Sequence, residues 1–217
     1  MAIGAALEQS WLKQAQGTAY SLPATMYLAL STTEITTAVG GATGGFTEVS
    51  GGGYARIAIT SSTANWTVST STYPSIVSNA VAQAFAQATA SWGTVVSWAI
   101  LDASTGGNIL FYGRLSKTQS DSFNGTGTQT AFTSTAAVSG DLTVDAVTVK
   151  VGGTTQTVFT DYGIQWNAAG TVTINFVTAP ASGTGNVTLS YQTPNSQAVP
   201  SVGNFSFPVG DLQFGLY

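Results

Sequence analysis

Apolar residues recur at two spacings along this chain, and the change from one to the other comes early. Leu7, Trp11, Leu12 and Ala15 form one stripe on a period of about 3.6 residues, which predicts a short helix stopped by Gly17. A helix this short is marginal alone and must pack, either on its own domain or as an arm docked on a neighbouring subunit. After Gly17 the period falls to two. Met26, Leu28 and Leu30 alternate with Tyr27 and Ala29, a half-buried strand, and Ala55, Ile57 and Ile59 share a face of a strand over 54–60. A Gly- and Thr-rich loop over 31–53 separates them. Asn79 to Ala86 is rich in Ala, but its alternation of Val81, Gln83 and Phe85 favours a strand. Val95 to Leu101 is apolar on both faces, as a central strand between packed layers requires. The turn composition of 102–108 leads into a strand over 109–115, and Phe205 with Phe207, then Leu212, Phe214 and Leu216, predict two closing strands.

The segment from 119 to 192 has a different texture, richer in Val and Thr with regular tight turns. Val147, Val149 and Val151 alternate up to Gly152-Gly153, a hairpin signal. Gln156 to Phe159, Asp161-Tyr162, Ile164 to Trp166, Thr171 to Phe176 and Asn186 to Tyr191 follow, with turns at 167–170 and 179–183. About six short strands in this span predict a small Ig-like β-sandwich of its own. It holds Asp121, Asp141, Asp145 and Asp161 against Lys150, so it carries most of the chain's net charge of −4. These features mark it as an inserted domain whose two ends lie close together.

Charge is scarce: Asp, Glu, Lys and Arg make up 6% of the 217 residues, against about 25% in an ordinary soluble domain. Hydrophobic residues remain at 43%, so the chain folds, with a surface of hydroxyls and amides. Scattered basic residues and a pI near 4.3 exclude a nucleic-acid partner, which needs clustered Lys and Arg. No apolar run approaches the roughly 20 residues of a membrane span. The N-terminal stretch lacks a basic region and reaches Glu8 too soon for a signal peptide, which predicts synthesis in the cytoplasm and release by another route.

The catalytic inventory is thin. With no His and no Cys, the nucleophilic triads and His- or Cys-built zinc sites are excluded. Glu34 and Glu48 flank the Gly-rich loop as the one conceivable carboxylate pair, but small polar neighbours offer nothing apolar to raise a pKa, so solvated loop acids are expected. Asp141 and Asp145 lack the denser ligand spacing of a calcium loop and read as turn acids. No cofactor is expected. Trp92 and Trp98 read as core, and Trp166 as a clamp on the inserted domain's core. Trp66 has polar neighbours, which favours an exposed ring able to stack on a sugar or a partner subunit.

Four blocks then occur in one order: Pro23 to Thr33, Thr47 to Arg56, Trp92 to Trp98, and Asp102 to Gly113. Together with the preceding helix and the closing strands from Asn204, they resemble a family of tailed-bacteriophage virion structural proteins, variously labelled capsid decoration (cement) or tail-fibre proteins. The segments Phe123 to Phe132, Thr160 to Tyr162 and Thr178 to Gly183 resemble a small β module of phage structural proteins that faces solvent. The expected fold is all-β. A helical arm (1–17) precedes a jelly-roll-like β-sandwich body (18–118 plus 193–217), and the inserted domain (119–192) projects from one edge. The resemblance implies a non-enzymatic virion protein, with two placements. The first is a homotrimeric decoration protein on the capsid surface that binds and stabilises the major capsid protein lattice. The alternative is a tail-fibre or host-adhesion subunit whose insert binds a receptor such as a host glycan. Leu7, Trp11, Leu12, Glu34, Glu48 and Trp66 are the candidate partner contacts, and no membrane partner is expected.

Overall fold

In the computed structural model, which describes residues 2–35, 45–69, 75–139 and 146–215, strands dominate and every pairing between them is antiparallel. The elements run β1 (Ala2–Ile3), α1 (Ala5–Gln14), β2 (Thr25–Ser31), β3 (Ile57–Thr60), β4 (Trp66–Ser69), β5 (Ile76–Asn79) and β6 (Gln83–Ala84). Next come β7 (Gly93–Val95), β8 (Ser97–Leu101), β9 (Ile109–Arg114), β10 (Ser116–Gly125), β11 (Ala131–Thr133), β12 (Val147–Val151) and β13 (Thr154–Thr155). The chain continues with β14 (Tyr162–Trp166), β15 (Val172–Phe176), β16 (Gly183–Pro194), β17 (Gln197–Val199), β18 (Ser206–Phe207) and β19 (Gln213–Gly215). The all-β class and its single N-terminal helix are those the periodicity predicts. Two compact units result: unit 1 is Met1–Leu115 with Ser196–Tyr217, and unit 2 is Ser116–Asn195.

Unit 1 is organised by a five-stranded sheet of order β1-β9-β8-β2-β3. One face, through Met26, Leu28, Leu30, Trp98, Ile100 and Phe111, enters a core completed by Trp92, Phe205, Phe207 and Phe214. Rings meet there edge-on and stacked, with Phe111 and Phe214 centroids 4.0 Å apart. The other face is buried as well, which the alternation over 26–30 does not predict. Ala29 and Ala99 are directly paired across β2 and β8, and this small-residue surface packs with Ile35, Ile109 and Tyr112 beneath the half-buried Phe46. The predicted strand over 95–101 is divided at Val96, where the chain passes from pairing β17 to pairing β2 and β9. Residues 79–86 are extended but irregular, with only β6 in the middle and Val81 exposed.

The helix packs on its own unit. Gly4 donates its N–H to the Leu110 carbonyl at 2.7 Å, and a Cβ at Gly4 would overlap the Ile109 carbonyl, so only glycine allows this approach. Leu7 is fully buried and Trp11 lies half-buried against the same core, whereas Leu12 is 67% exposed. Leu216 lies outside the described residues.

Unit 2 is a sandwich of two sheets, β10-β16-β12-β13 and β11-β15-β14, closed over Phe132, Val149, Val172, Ile174, Val187 and Leu189. Its frame is longer than short strands imply: β10 and β16 pair from Ser116↔Pro194 to Gly125↔Gly183. Trp166 packs half-buried against this core. Inside β10 sits a carboxylate, Asp121, that is 5% exposed and pairs with no cation among the described residues. It accepts hydrogen bonds from the Thr135 N–H (2.7 Å), the Thr135 hydroxyl (2.6 Å), the Tyr191 hydroxyl (2.6 Å) and the Gln119 amide (3.2 Å). Tyr191 Oη in turn accepts the Ala136 N–H at 3.1 Å, so one carboxylate joins β10, β16 and the 134–136 turn. Burial alone pushes the Asp121 pKa up, but the Thr135 and Tyr191 hydroxyls, with the Thr135 N–H and the Gln119 amide, outweigh it and hold the carboxyl below its ordinary value.

A depressed folded pKa stabilises unit 2 in full above the unfolded value of about 4. That stabilisation is lost as pH falls through the lower folded value. Asp121→Asn should cost unit 2 about 2 kcal/mol at neutral pH and remove this part of its acid sensitivity. Denaturant melts across pH, with hydrogen exchange of the β10 and β16 amides, measure both effects; an acid profile unchanged by the substitution refutes the assignment.

Candidate interaction surface

The connection from β2 to β3 carries the densest polar construction in unit 1. Gly51, Gly52 and Gly53 all take left-handed backbone (φ 71°, 55° and 75°), a run that residues with a Cβ adopt only with strain. A Cβ on Gly52 would lie 2.6 Å from the Ala90 carbonyl, while the Gly52 carbonyl accepts the Trp92 indole N–H at 3.0 Å. The glycine run thus lays the backbone on a core tryptophan and delivers Tyr54 and Arg56.

Arg56 is 5% exposed in its side chain, and it spends its guanidinium fork on two targets. Nε and Nη2 donate to Glu48 Oε1 and Oε2, both at 2.7 Å, and Nη1 donates to the carbonyls of Ala103 (2.6 Å) and Gly106 (2.9 Å). The Tyr54 hydroxyl donates to Glu48 Oε1 at 3.3 Å and accepts the Leu30 N–H at 2.9 Å. Its pKa is driven well above the ordinary tyrosine value, first by burial. The bond to Glu48 pushes the Arg56 pKa up in turn. The 102–108 turn is itself closed by Asp102, whose carboxylate accepts the Asn108 N–H at 2.7 Å and the Asn108 amide at 2.9 Å. Between the two loops lies an open recess of about 500 Å³ lined by Tyr27, Gly51, Tyr54, Arg56, Ser104 and Thr105. The charged and phenolic groups at its floor, Glu48, Tyr54 and Arg56, are already bonded to one another or to backbone, so it offers shape and hydroxyl edges rather than a reactive group.

Hydroxyls clamp the two ends of the loop. Ser31 Oγ donates to the Thr47 carbonyl (3.2 Å) and Ser97 Oγ to the Thr33 carbonyl (2.6 Å), while the Thr33 hydroxyl bonds the Gly45 carbonyl. Glu34 pairs with Arg114 beside this clamp. Residues 36–44 of the predicted 31–53 loop lie outside the described residues, as do Asp141 and Asp145.

The six sequence candidates do not converge on one site. Glu48 is drawn into the Arg56 network instead of standing as a solvated acid, whereas Glu34, with its side chain 43% exposed, remains a solvated loop acid that also pairs with Arg114. Leu7 is core, and Trp66 is 8% exposed with its ring packed edge-on against Phe214 at 5.2 Å. The expectation of an exposed Trp66 is therefore corrected: a strand distant in sequence covers a ring whose neighbours are polar. Its buried indole N–H has no partner among the described residues. Trp11 is half-buried, and Leu12 alone of the apolar candidates stands free. Arg56 escaped sequence reasoning, although it is one of only five basic residues and sits two positions after a Gly-Gly-Gly-Tyr signal.

A family model described as Podophage GP4 fiber I protein gp80 matches residues 2–124, and the chain belongs to that family. The match spans the helix, the glycine run, the Arg56 network and the start of unit 2 as far as β10. No curated protein matches the chain. Family membership makes this a phage virion structural protein. No described helix is long and apolar enough to cross a membrane.

Because Arg56 is buried and bonded on two sides, Arg56→Ala should cost unit 1 about 3 kcal/mol. Glu48→Gln should cost less, and the double variant less than the sum. Chemical denaturation across the cycle measures the coupling; additive losses contradict the network.

Proposed function

We propose that this member of the podophage fibre family is a subunit of the phage's host-adhesion fibre, with unit 1 as the assembly body and unit 2 as the receptor-facing module. The observation that carries the reading is the fibre-family match over 2–124, which takes in the helix and the first part of unit 1. Physical features support it. Four of the eight charged side chains of unit 1 are turned on one another, in Glu48–Arg56 and Glu34–Arg114. Leu12, Val68, Val81, Val202 and Val209 stand exposed on the same unit. Such a surface adheres by area and shape, with little to lose to salt. A homotrimer multiplies modest contacts through effective concentration, so copies of the chain itself are the expected first partners. The role is non-enzymatic, in keeping with a fibre family.

The second placement, a trimeric decoration protein on the capsid surface with the major capsid protein as partner, rests on the same ordered blocks over 23–113. The family description favours the fibre. Gold-labelled antibody against unit 2, applied to purified particles, is expected to mark the tail end, with copy number fixed by the tail's symmetry. Label spread over the head, at a copy number matching the capsid lattice, would replace the fibre reading with the decoration reading.

A further inference from the structure

Left-handed backbone falls to glycine at fourteen described positions and to other residues at only two, Phe159 (φ 65°) and Val202 (φ 59°). For a bulky side chain this region is a true outlier. Phe159 is also 77% exposed, so its ring gains almost no burial to offset the strain. Glycine or asparagine would close the same turn without it. Strain that packing does not reward points to a role for the side chain outside the fold.

Hydrogen bonds fix the backbone of the turn that carries the ring. Thr157 N–H donates to Asp161 Oδ2 at 2.7 Å, Asp161 N–H to the Thr157 carbonyl at 2.8 Å, and Phe159 N–H to the Tyr162 carbonyl at 2.7 Å. Val177, 73% exposed, donates its N–H to the Asp161 carbonyl at 2.9 Å. The turn thus presents one exposed aromatic side chain together with the exposed Thr157 and Thr160, and Val177 is tied to its Asp161 through the backbone. Asp161 Oδ1 accepts no hydrogen bond among the described residues.

Size and charge select the occupant. Two side chains fall far short of the roughly 800 Å² per partner that a specific protein interface buries. The segment from 119 to 192 carries four Asp against Lys150, which repels anionic polymers and anionic membrane surfaces. A neutral sugar fits what remains: an apolar ring face of one aromatic's size, edged by hydroxyls that need acceptors. We infer that Phe159 is the stacking platform of a neutral-carbohydrate site, with Asp161 Oδ1 and the Thr157 and Thr160 hydroxyls bonding the sugar's hydroxyls. This rests on the receptor-facing reading of unit 2.

The test uses the full chain on an array of neutral glucose-, galactose- and mannose-containing oligosaccharides. Wild-type protein is expected to retain a subset, Phe159→Trp to keep it, and Phe159→Ala to lose about tenfold in affinity. Phe159→Gly should lose binding while its melting temperature rises, because the strain is released; this keeps a binding loss distinct from misfolding. Equal retention by wild type and Phe159→Ala, or no retention of any neutral sugar, overturns the site. Particle labelling reads the fibre placement separately: head labelling with Phe159-dependent retention intact overturns the placement and supports the site.

Discussion

The constraint on which this structure depends is polar satisfaction with hardly any charge. Long connections carry backbone groups that must find partners, and a chain with 6% charged residues cannot leave that task to ions. Hydroxyls, amides and carbonyls fill most of it, as in the Ser31, Thr33, Thr47 and Ser97 clamp. The few charges are then set where one group can close several gaps. Arg56 joins two loops through four hydrogen bonds, and Asp121 joins two strands and a turn through another four. Turning these groups inward leaves outer faces of hydroxyls, amides and scattered aliphatics. The adhesion by area proposed above would draw on the same economy that holds the loops together.

The sequence discloses what alternation and turn chemistry encode locally. The helix, the Gly152-Gly153 hairpin, the strand over 172–176 and the core positions of Trp92 and Trp98 all come from short-range patterns. What it hides depends on partners far along the chain. Trp66 sits between Asn65 and Thr67, and nothing nearby announces that Phe214 will cover it. Ala29 looks like the weak side of an alternating strand until Ile35 and Phe46 fold onto it. β10 reads as polar because most of its side chains face water, and its length emerges only in its register with β16. The texture of the segment changes at 119, but pairing begins at Ser116.

The candidate surface was legible in outline and illegible in chemistry. A long Gly-rich connection between two strands is where function concentrates in β scaffolds, and 31–53 is marked by composition alone. That Glu48 answers Arg56 is a local pairing, but the reach of Arg56 to Ala103 and Gly106 is set by how β3 and the 102–108 turn are brought together. Of the two acids that look solvated by their neighbours, Glu48 is held by the Arg56 fork, while Glu34 keeps 43% of its side chain exposed beside Arg114.

The two non-glycine outliers extend this reasoning to the rest of the molecule. Val202 has a structural use for its backbone: its N–H bonds the Ala88 carbonyl at 2.7 Å, its carbonyl takes the Gln87 amide at 3.0 Å, and Gly203 continues the pairing to Ala88. Its exposed isopropyl group adds to the aliphatic surface of unit 1. Phe159 closes a turn that glycine or asparagine would close without strain, and it exposes an aromatic where exposed aromatics are otherwise scarce among the described residues. Sequences tend to agree with their folds at every level, and disagreement that costs stability without gaining packing is kept where the side chain meets something else. Under the proposed fibre role the units would divide the labour: aliphatic area on unit 1 suits broad contacts that hold an assembly, and a single exposed ring on unit 2 suits recognition of something small.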